Sequence, residues 1–472
     1  MKAISLTMVA GSVLAALSMS ATADTDLSRI EARLQVLEQR AAQAEARATA
    51  AEQKAQRLEQ MMMAAPAPAA PATVAASAPV LASHDQQPAQ GMVLHDDKLG
   101  ELKLYGDVEF NMDGASKQGQ ISSVRTALDK NSDAGKSDNW DINGRILIGL
   151  DGERELHNGN YAGFTVQPLA DLSGSMNLDD AAFYFGQKDN WEVKLGRYEA
   201  YDMFPLGQDT FVEYSGNTAD DLYEDGFGYI YMMKEGRGRS GDGGSVQISK
   251  SLDNWYFELN ALVEEGTSLF GGEDPTYHGY ELKNKKNVIY MRPVIAWQQD
   301  SFKVAAGMES QVINNAYGAY ANNVEGKWKD MSKRNGYGLT LAWDTLENDP
   351  DNGIVATLST AYMDATGEKD FTAGGNILWR KAQLGYIYAH NDIRTFNTDV
   401  LNSDNSSLNA VPGKYDLHTV FVSYEIPKIL DLDNYKIYLG GYYSKIDADQ
   451  KDMVSGRDDD RYGVRARFKY FF

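Results

Sequence analysis

Cysteine is missing from all 472 residues, so no disulfide framework and no thiolate metal site can hold this chain. The lack suits an oxidising compartment, where stray thiols would misbridge. Basic residues are few: 45 Lys and Arg face 67 Asp and Glu, for a net charge of −22, which argues against a nucleic-acid partner. The six histidines (His84, His95, His157, His278, His390, His418) show no HExxH or paired metal-ligand spacing, and no G-x-S-x-G occurs. No cofactor, metal or enzymatic activity is therefore expected. The glycine-rich run 236–244 lacks the Lys-Ser/Thr of a phosphate loop, and the acidic runs 431–434 and 458–460 read as solvated turns. Beyond the N-terminus, no apolar run approaches the roughly 18–20 residues of a membrane helix. A mean hydropathy of −0.45 does not exclude a membrane, because a transmembrane strand is apolar only at every second residue.

What is present changes character along the chain. Residues 1–23 read as a secretory signal peptide, with Lys2, an apolar stretch from Ile4 to Leu17, and Ala21-Thr22-Ala23 as cleavage site. Over 24–63 the period becomes helical. Leu27, Ile30, Leu34, Leu37, Ala41, Ala44, Ala48, Ala51, Ala55, Leu58 and Met62 follow an unbroken 3,4 spacing, which predicts a coiled coil. Residues 64–96 form an Ala/Pro-rich linker carrying Pro66, Pro68, Pro71, Pro79 and Pro88, a semi-rigid spacer.

From 97 to 472 the period is two. The terminal stretch is the clearest: Tyr462, Val464, Ala466, Phe468, Tyr470 and Phe472 alternate with Arg461, Gly463, Arg465, Arg467 and Lys469, and Phe471 is the exception. Successive strand residues point to opposite faces, so one face is apolar and the other cationic. Lipid over the first and a water-filled lumen behind the second account for both. The same alternation recurs in Trp255–Val263, Phe302–Met308, Tyr337–Trp343 and Lys436–Ser444, with short turns on one rim and long loops on the other. The expected fold is all-β, a transmembrane antiparallel β-barrel behind an N-terminal coiled-coil helix. Seventeen segments are visible, one of them beginning near 226. Both barrel ends on the periplasmic side require an even number. A short strand hidden at Thr210–Tyr214 brings the count to 18, whereas it is 16 if one of the weaker segments near 226 or 245 is no strand.

Candidate functional residues follow from those faces. Asp107, Glu109, Glu258, Arg292, Arg380, Arg465, Arg467 and Lys469 fall on the polar side of their strands and predict a lumen of mixed sign. Charges of both signs orient water and hydrogen-bond hydroxyl groups, which favours neutral polyols over one ion class. Between strands, Tyr201, Asp202, Phe204, Asp209, Phe211, Glu213 and Tyr214 mix aromatics with carboxylates in a long interval. Folded into the lumen, it would form a constriction suited to carbohydrate.

Three runs, Leu195-Gly196-Arg197-Tyr198, Thr210-Phe211-Val212-Glu213-Tyr214 and DGFGYIYMM from Asp225 to Met233, resemble the sugar-specific outer-membrane porins of the sucrose and raffinose type. The resemblance implies a homotrimer of eighteen-stranded barrels in a Gram-negative outer membrane, each narrowed by an inward loop, with sugars as permeants and the coiled coil in the periplasm. It also implies a ladder of lumen aromatics. Here Leu104-Tyr105-Gly106-Asp107 departs from it, with Asp107 where an aromatic stands in maltoporin-like members. A wide oligosaccharide pore is the leading expectation, beside a general or weakly cation-favouring porin and a structural tether of the envelope.

Overall fold

A computed structural model describes residues 91–96, 100–116, 139–208, 230–239, 242–270, 275–320, 327–395, 397, 413–449 and 459–472, except single positions 279, 347 and 351. The signal-peptide, coiled-coil and most of the linker assignments lie outside these residues, as do Asp209, Phe211, Glu213 and Tyr214.

Sixteen long strands are seen among the described residues: β1 Gly100–Ala115, β2 Asn139–Glu155, β3 Asn160–Asp171, β4 Met176–Gln187, β5 Trp191–Arg197, β6 Gly244–Leu252, β7 Trp255–Glu265 and β8 Asn287–Gln299 form the first half. The second half is β9 Phe302–Gln311, β10 Arg334–Asp344, β11 Ile354–Ala365, β12 Glu368–Trp379, β13 Ala382–Ile393, β14 Gly413–Ile426, β15 Tyr435–Ala448 and β16 Asp459–Phe471. Each pairs antiparallel with the next, and β1 pairs with β16 from Asp107↔Phe471 to Ala115↔Gly463, which closes the barrel. A backbone in lipid has no water to bond, so only such closure satisfies every strand edge.

The expected eighteen strands are corrected to the alternative sixteen. The segment near 226 was the false one. Its described part, Ile230–Met233, is no strand and lies buried inside the barrel. Its alternation of large apolar residues serves an inner cluster instead of a wall. Met92–Asp96 pairs with Gly100–Leu104 and continues the line of β16 below the last residue.

Parity sets the two faces as expected. In β16, Tyr462, Val464 and Tyr470 are exposed, whereas Arg465, Arg467, Lys469 and Phe471 are buried. Tight turns mark the rim shared with Phe472, among them Asp253-Asn254 between Leu252 and Trp255 and Asp300-Ser301 between Gln299 and Phe302. Just above these turns, Trp255, Trp297 and Phe302 form an outward aromatic belt, with ring centres 6.4 and 6.2 Å apart in succession. A second belt, with Tyr337, Tyr362 and Phe371 in register, rings the opposite side. Two such girdles bracket the lipid-facing band of a transmembrane barrel. The long-loop rim is interrupted by Thr366-Gly367, a two-residue turn made possible by Gly367 at φ +78°.

At the seam, the Arg465 guanidinium forks onto Asp113, donating from Nε at 2.6 Å and Nη2 at 2.9 Å, and both side chains are buried. Removing one partner strands a buried charge. Asp113→Ala should therefore destabilise the barrel by about 3–5 kcal/mol, seen as unfolding at lower temperature in heat-modifiability gels. The double replacement Asp113→Leu/Arg465→Met should recover most of the loss.

Candidate functional site

After β5 the chain turns inward at Tyr198 and returns to the wall at β6. The described parts of this arm, 198–208 and 230–239, lie against the inner wall. An arm with no sheet partner leaves backbone groups unpaired, and wall side chains supply the bonds. Glu258 accepts from the Tyr201 N–H, Arg292 donates to the Tyr201 carbonyl at 2.8 Å, and Thr340 donates to that of Met203. Asn376 donates to the Pro205 carbonyl at 3.0 Å and Gln383 to that of Leu206 at 2.7 Å. At the end of the first described part, the Gln208 N–H donates to Gln383 at 2.7 Å. The arm thus crosses β7, β8, β10, β12 and β13 in turn.

Apolar packing adds the larger energy. Met203, Phe204, Ile230, Met232 and Met233 are at most 1% exposed, so each contributes roughly 1.5–3 kcal/mol. Glycines of the wall make the sockets. A Cβ at Gly374 would stand 2.7 Å from the Phe204 ring, and one at Gly307 would stand 2.8 Å from the Met233 methyl. On the returning stretch, Glu235 pairs with Arg334 at 2.6 Å, while Glu309 accepts from the Tyr231 hydroxyl and, at 2.9 Å, from the Gly236 N–H.

The described parts of the arm cover the inner wall from β7 to β13. Asp202 and Glu199 look out from the arm, with side chains 21% and 34% exposed, and Arg145 looks back from β2 at 35%. Arg145 lies 3.8 Å from Asp107 and 3.9 Å from Glu109. Arg239 ties the arm to β4, reaching Asp179 at 2.9 Å, Asp180 at 3.0 Å and Glu199 at 3.0 Å. Arg467 and Lys469 stand 3.2 and 3.8 Å from Glu109. Arg465, Arg467 and Lys469 are therefore balanced by β1 across the seam.

Below these charges, toward the Phe472 rim, three half-buried tyrosines line β1, β3 and β4. The Tyr105 ring covers Gly149 and the Tyr184 ring covers Gly163, where a Cβ would fall 2.3 and 2.6 Å from ring atoms. Their hydroxyls are held by carboxylates: Tyr105 donates to Asp151 at 3.0 Å, Tyr161 donates to Glu192 at 2.9 Å, and Tyr184 bonds Glu153. Gln167 donates to the Tyr105 hydroxyl at 2.8 Å. The Tyr105 and Tyr184 rings thus lie with one face on backbone, and Tyr161 packs beside Tyr184 with ring centres 6.1 Å apart.

Of the residues singled out from sequence, Asp107, Glu109, Glu258, Arg292, Arg465, Arg467 and Lys469 are on the inner wall. Glu258 and Arg292 lie beneath the arm, away from the water path. Tyr201 stacks on Tyr256 with ring centres 5.8 Å apart, and Phe204 is enclosed, so of the described arm residues named in advance Asp202 alone faces the path. Arg380 is corrected: it sits in the β12–β13 turn at φ +45°, bonds Asn352 and covers the Trp379 ring. A two-residue turn of the I′ type has positive φ at both positions, and Lys381 at +73° supplies the second. Tyr105, Tyr161 and Tyr184 are not among the candidates read from sequence, although each stands two residues from another lumen-side residue.

Two predictions follow from the arm. Gly374→Leu should expel Phe204, cost about 1–3 kcal/mol, and raise single-channel conductance as the arm lifts. Burial alone would raise the Glu199 carboxyl, but Arg237, Arg239 and Lys234 outweigh it and hold it down at about 2, from about 4.5. A carboxyl lowered on folding stabilises fully above its unfolded value and loses this as pH falls through the folded one. Conductance should hold steady down to pH about 4.5 and become noisy between there and about 2, and Glu199→Gln should show that noise at neutral pH.

Among solved structures, the outer membrane channel DcaP of Acinetobacter baumannii superposes with TM-score 0.50 at 14% identity, over 80% of this chain and 99% of that one. The anion-selective porin from Comamonas acidovorans gives 0.45 at 13%, over 79% and 99%. Outer-membrane expressed OmpT of Vibrio cholerae gives 0.43 at 11%, over 81% and 100%. At such identities the likeness shows fold alone. No curated protein sequence matches the chain significantly. The family profile described as porin-like glycoporin RafY matches residues 104–472, the whole described barrel from its first strand, and the chain belongs to that porin family.

Proposed function

We propose that this outer-membrane diffusion channel passes carbohydrates, with oligosaccharides as permeants. The observation that carries the reading is the arc of Tyr105, Tyr184 and Tyr161, laid against the wall and interleaved with Asp151, Glu153 and Glu192. An aromatic face offers an apolar contact to the C–H side of a pyranose, while carboxylates accept from its hydroxyls. The constriction supports the same reading. Arg145, Arg237 and Arg239 face Asp107, Asp179, Asp180, Glu199 and Asp202, so no ion class meets a wall of one sign. The name of the family agrees, since a glycoporin is a porin for sugars. A homotrimer with a periplasmic coiled coil, implied by the resemblance to sugar porins, completes the proposal.

In planar bilayers, oligosaccharide should reduce ion conductance saturably, and Tyr184→Ala should weaken the half-blocking concentration by about tenfold, the equivalent of about 1.4 kcal/mol. Conductance unaffected by every sugar tried would make the channel a general porin. Reversal potentials in a salt gradient would then rank its ion preference.

A further inference from the structure

Positive charge is scarce in this chain, yet lysines gather at the long-loop rim. Residues 281–286 and 327–330 carry Lys283, Lys285, Lys286, Lys327 and Lys329 against Glu281 and Asp330, within a net charge of −22. Three short strands organise them. Lys283–Asn284 and Trp328–Asp330 pair antiparallel on either side of Tyr317–Tyr320. Tyr317, Ala319 and Met331 pack with Leu262 and Tyr290, which share the inward side of their strands with Arg292. The small sheet is therefore seated inside the ring of the wall, at its open end.

Aromatic rings, more than carboxylates, hold these cations in place. Lys285 reaches over the middle strand to the Trp328 ring, its ammonium 3.5 Å from the ring centre. Gly318 makes room for that ring, since a Cβ there would stand 2.9 Å from Trp328 Cζ2. The indole N–H donates to Asn315 at 2.5 Å, and Tyr320 meets the ring edge-on with centres 5.3 Å apart. Lys329 stands 4.6 Å from the centre of the Tyr280 ring. Burial lowers its ammonium below the usual lysine range, and no opposing charge restores it. Lys286 donates to the Asn314 carbonyl at 3.3 Å. Asp330 is taken up by the Asn315 and Ser332 N–H groups, and among the described residues Lys283 alone of the five pairs with an acid, Glu281. A cation over a ring is attracted to its π face without being neutralised.

We infer that this sheet captures acidic oligosaccharides at the mouth of the channel, its lysines binding the carboxylates of a chain of uronic-acid sugars; this rests on the function proposed above and narrows its permeants. Cations set out over two strands match several charges in a row, which one small anion does not supply. Half-buried Tyr280, Tyr320 and Trp328 stand among them and offer apolar contact to pyranose rings. A local field of one sign speeds the arrival of an anion and leaves a neutral sugar as it was. The sheet thus acts on entry, and the tyrosine arc acts on passage.

The test uses the full chain in planar bilayers, with trigalacturonate or its neutral methyl ester added from the long-loop side. Salt is set at about 0.1 M and about 1 M, where charges are screened within about 10 and 3 Å. In dilute salt the acid should block with an on-rate about tenfold above that of the ester, and concentrated salt should remove the difference. Lys285→Gln/Lys327→Gln/Lys329→Gln should bring the acid down to the rate of the ester and leave block by the ester unchanged. The corresponding triple arginine variant should keep the advantage, and heat-modifiable gel migration checks that both variants fold. The inference is overturned if acid and ester enter the unaltered channel equally fast, if the advantage persists in concentrated salt or in the glutamine variant, or if it is as large from the Phe472 side. Block by neutral sugars with no advantage for the acid sinks this inference alone, whereas absence of block by any sugar sinks the carbohydrate reading with it.

Discussion

Every backbone N–H and C=O that faces lipid must find its partner inside the protein. The pairing of β1 with β16 meets that demand at the one place where consecutive strands cannot, and most other features follow from it. A closed ladder fixes side-chain parity around the whole wall, so a polar lumen and an apolar exterior become a single pattern read twice. It also leaves the interior as the only region where irregular backbone survives. The arm lies there, and its carbonyls are taken by Arg292, Thr340, Asn376 and Gln383. Without wall side chains of that kind, the arm would carry buried unpaired carbonyls and could not stay seated.

The fold was legible because its signal has period two and repeats. Tyr462 to Phe471 announced both faces of β16, and the same alternation placed fifteen other strands within a few residues. It failed at Ile230–Met233, where large apolar residues alternate with nothing and pack inside. A run of apolar residues beside a glycine satisfies a strand pattern and a buried arm equally well, and periodicity alone cannot separate them. Arg380 failed for a related reason. Its strand ends at Trp379, and whether the next residue continues the wall or starts a turn depends on φ, which an arginine does not reveal.

The site was harder to read, since its chemistry depends on neighbours far apart in sequence. Parity put Arg465, Arg467 and Lys469 in the lumen, but only register showed them neutralised by Asp113 and Glu109. Tyr105, Tyr161 and Tyr184 are ordinary strand tyrosines until Gly149 and Gly163 are found beneath two of the rings. Glycine in a strand often marks such close approach. Here it converts an aromatic side chain into a flat lining. The sockets for Phe204 and Met233 use the same device for the opposite end, to fix the arm instead of exposing a surface.

The seam has a kinetic meaning as well. Arg465 and Asp113 are 352 residues apart in sequence, whereas every other long-strand pairing joins neighbours in the chain. Bringing such distant segments together carries the largest loop-closure entropy in the molecule, while the contacts that reward it form only on arrival. Until then the sheet has two open edges, one at β1 and one at β16, each able to pair with the wrong strand. Assembly is therefore a race between closing the ring and joining another chain, and the buried Arg465–Asp113 fork marks the register in which the ring closes.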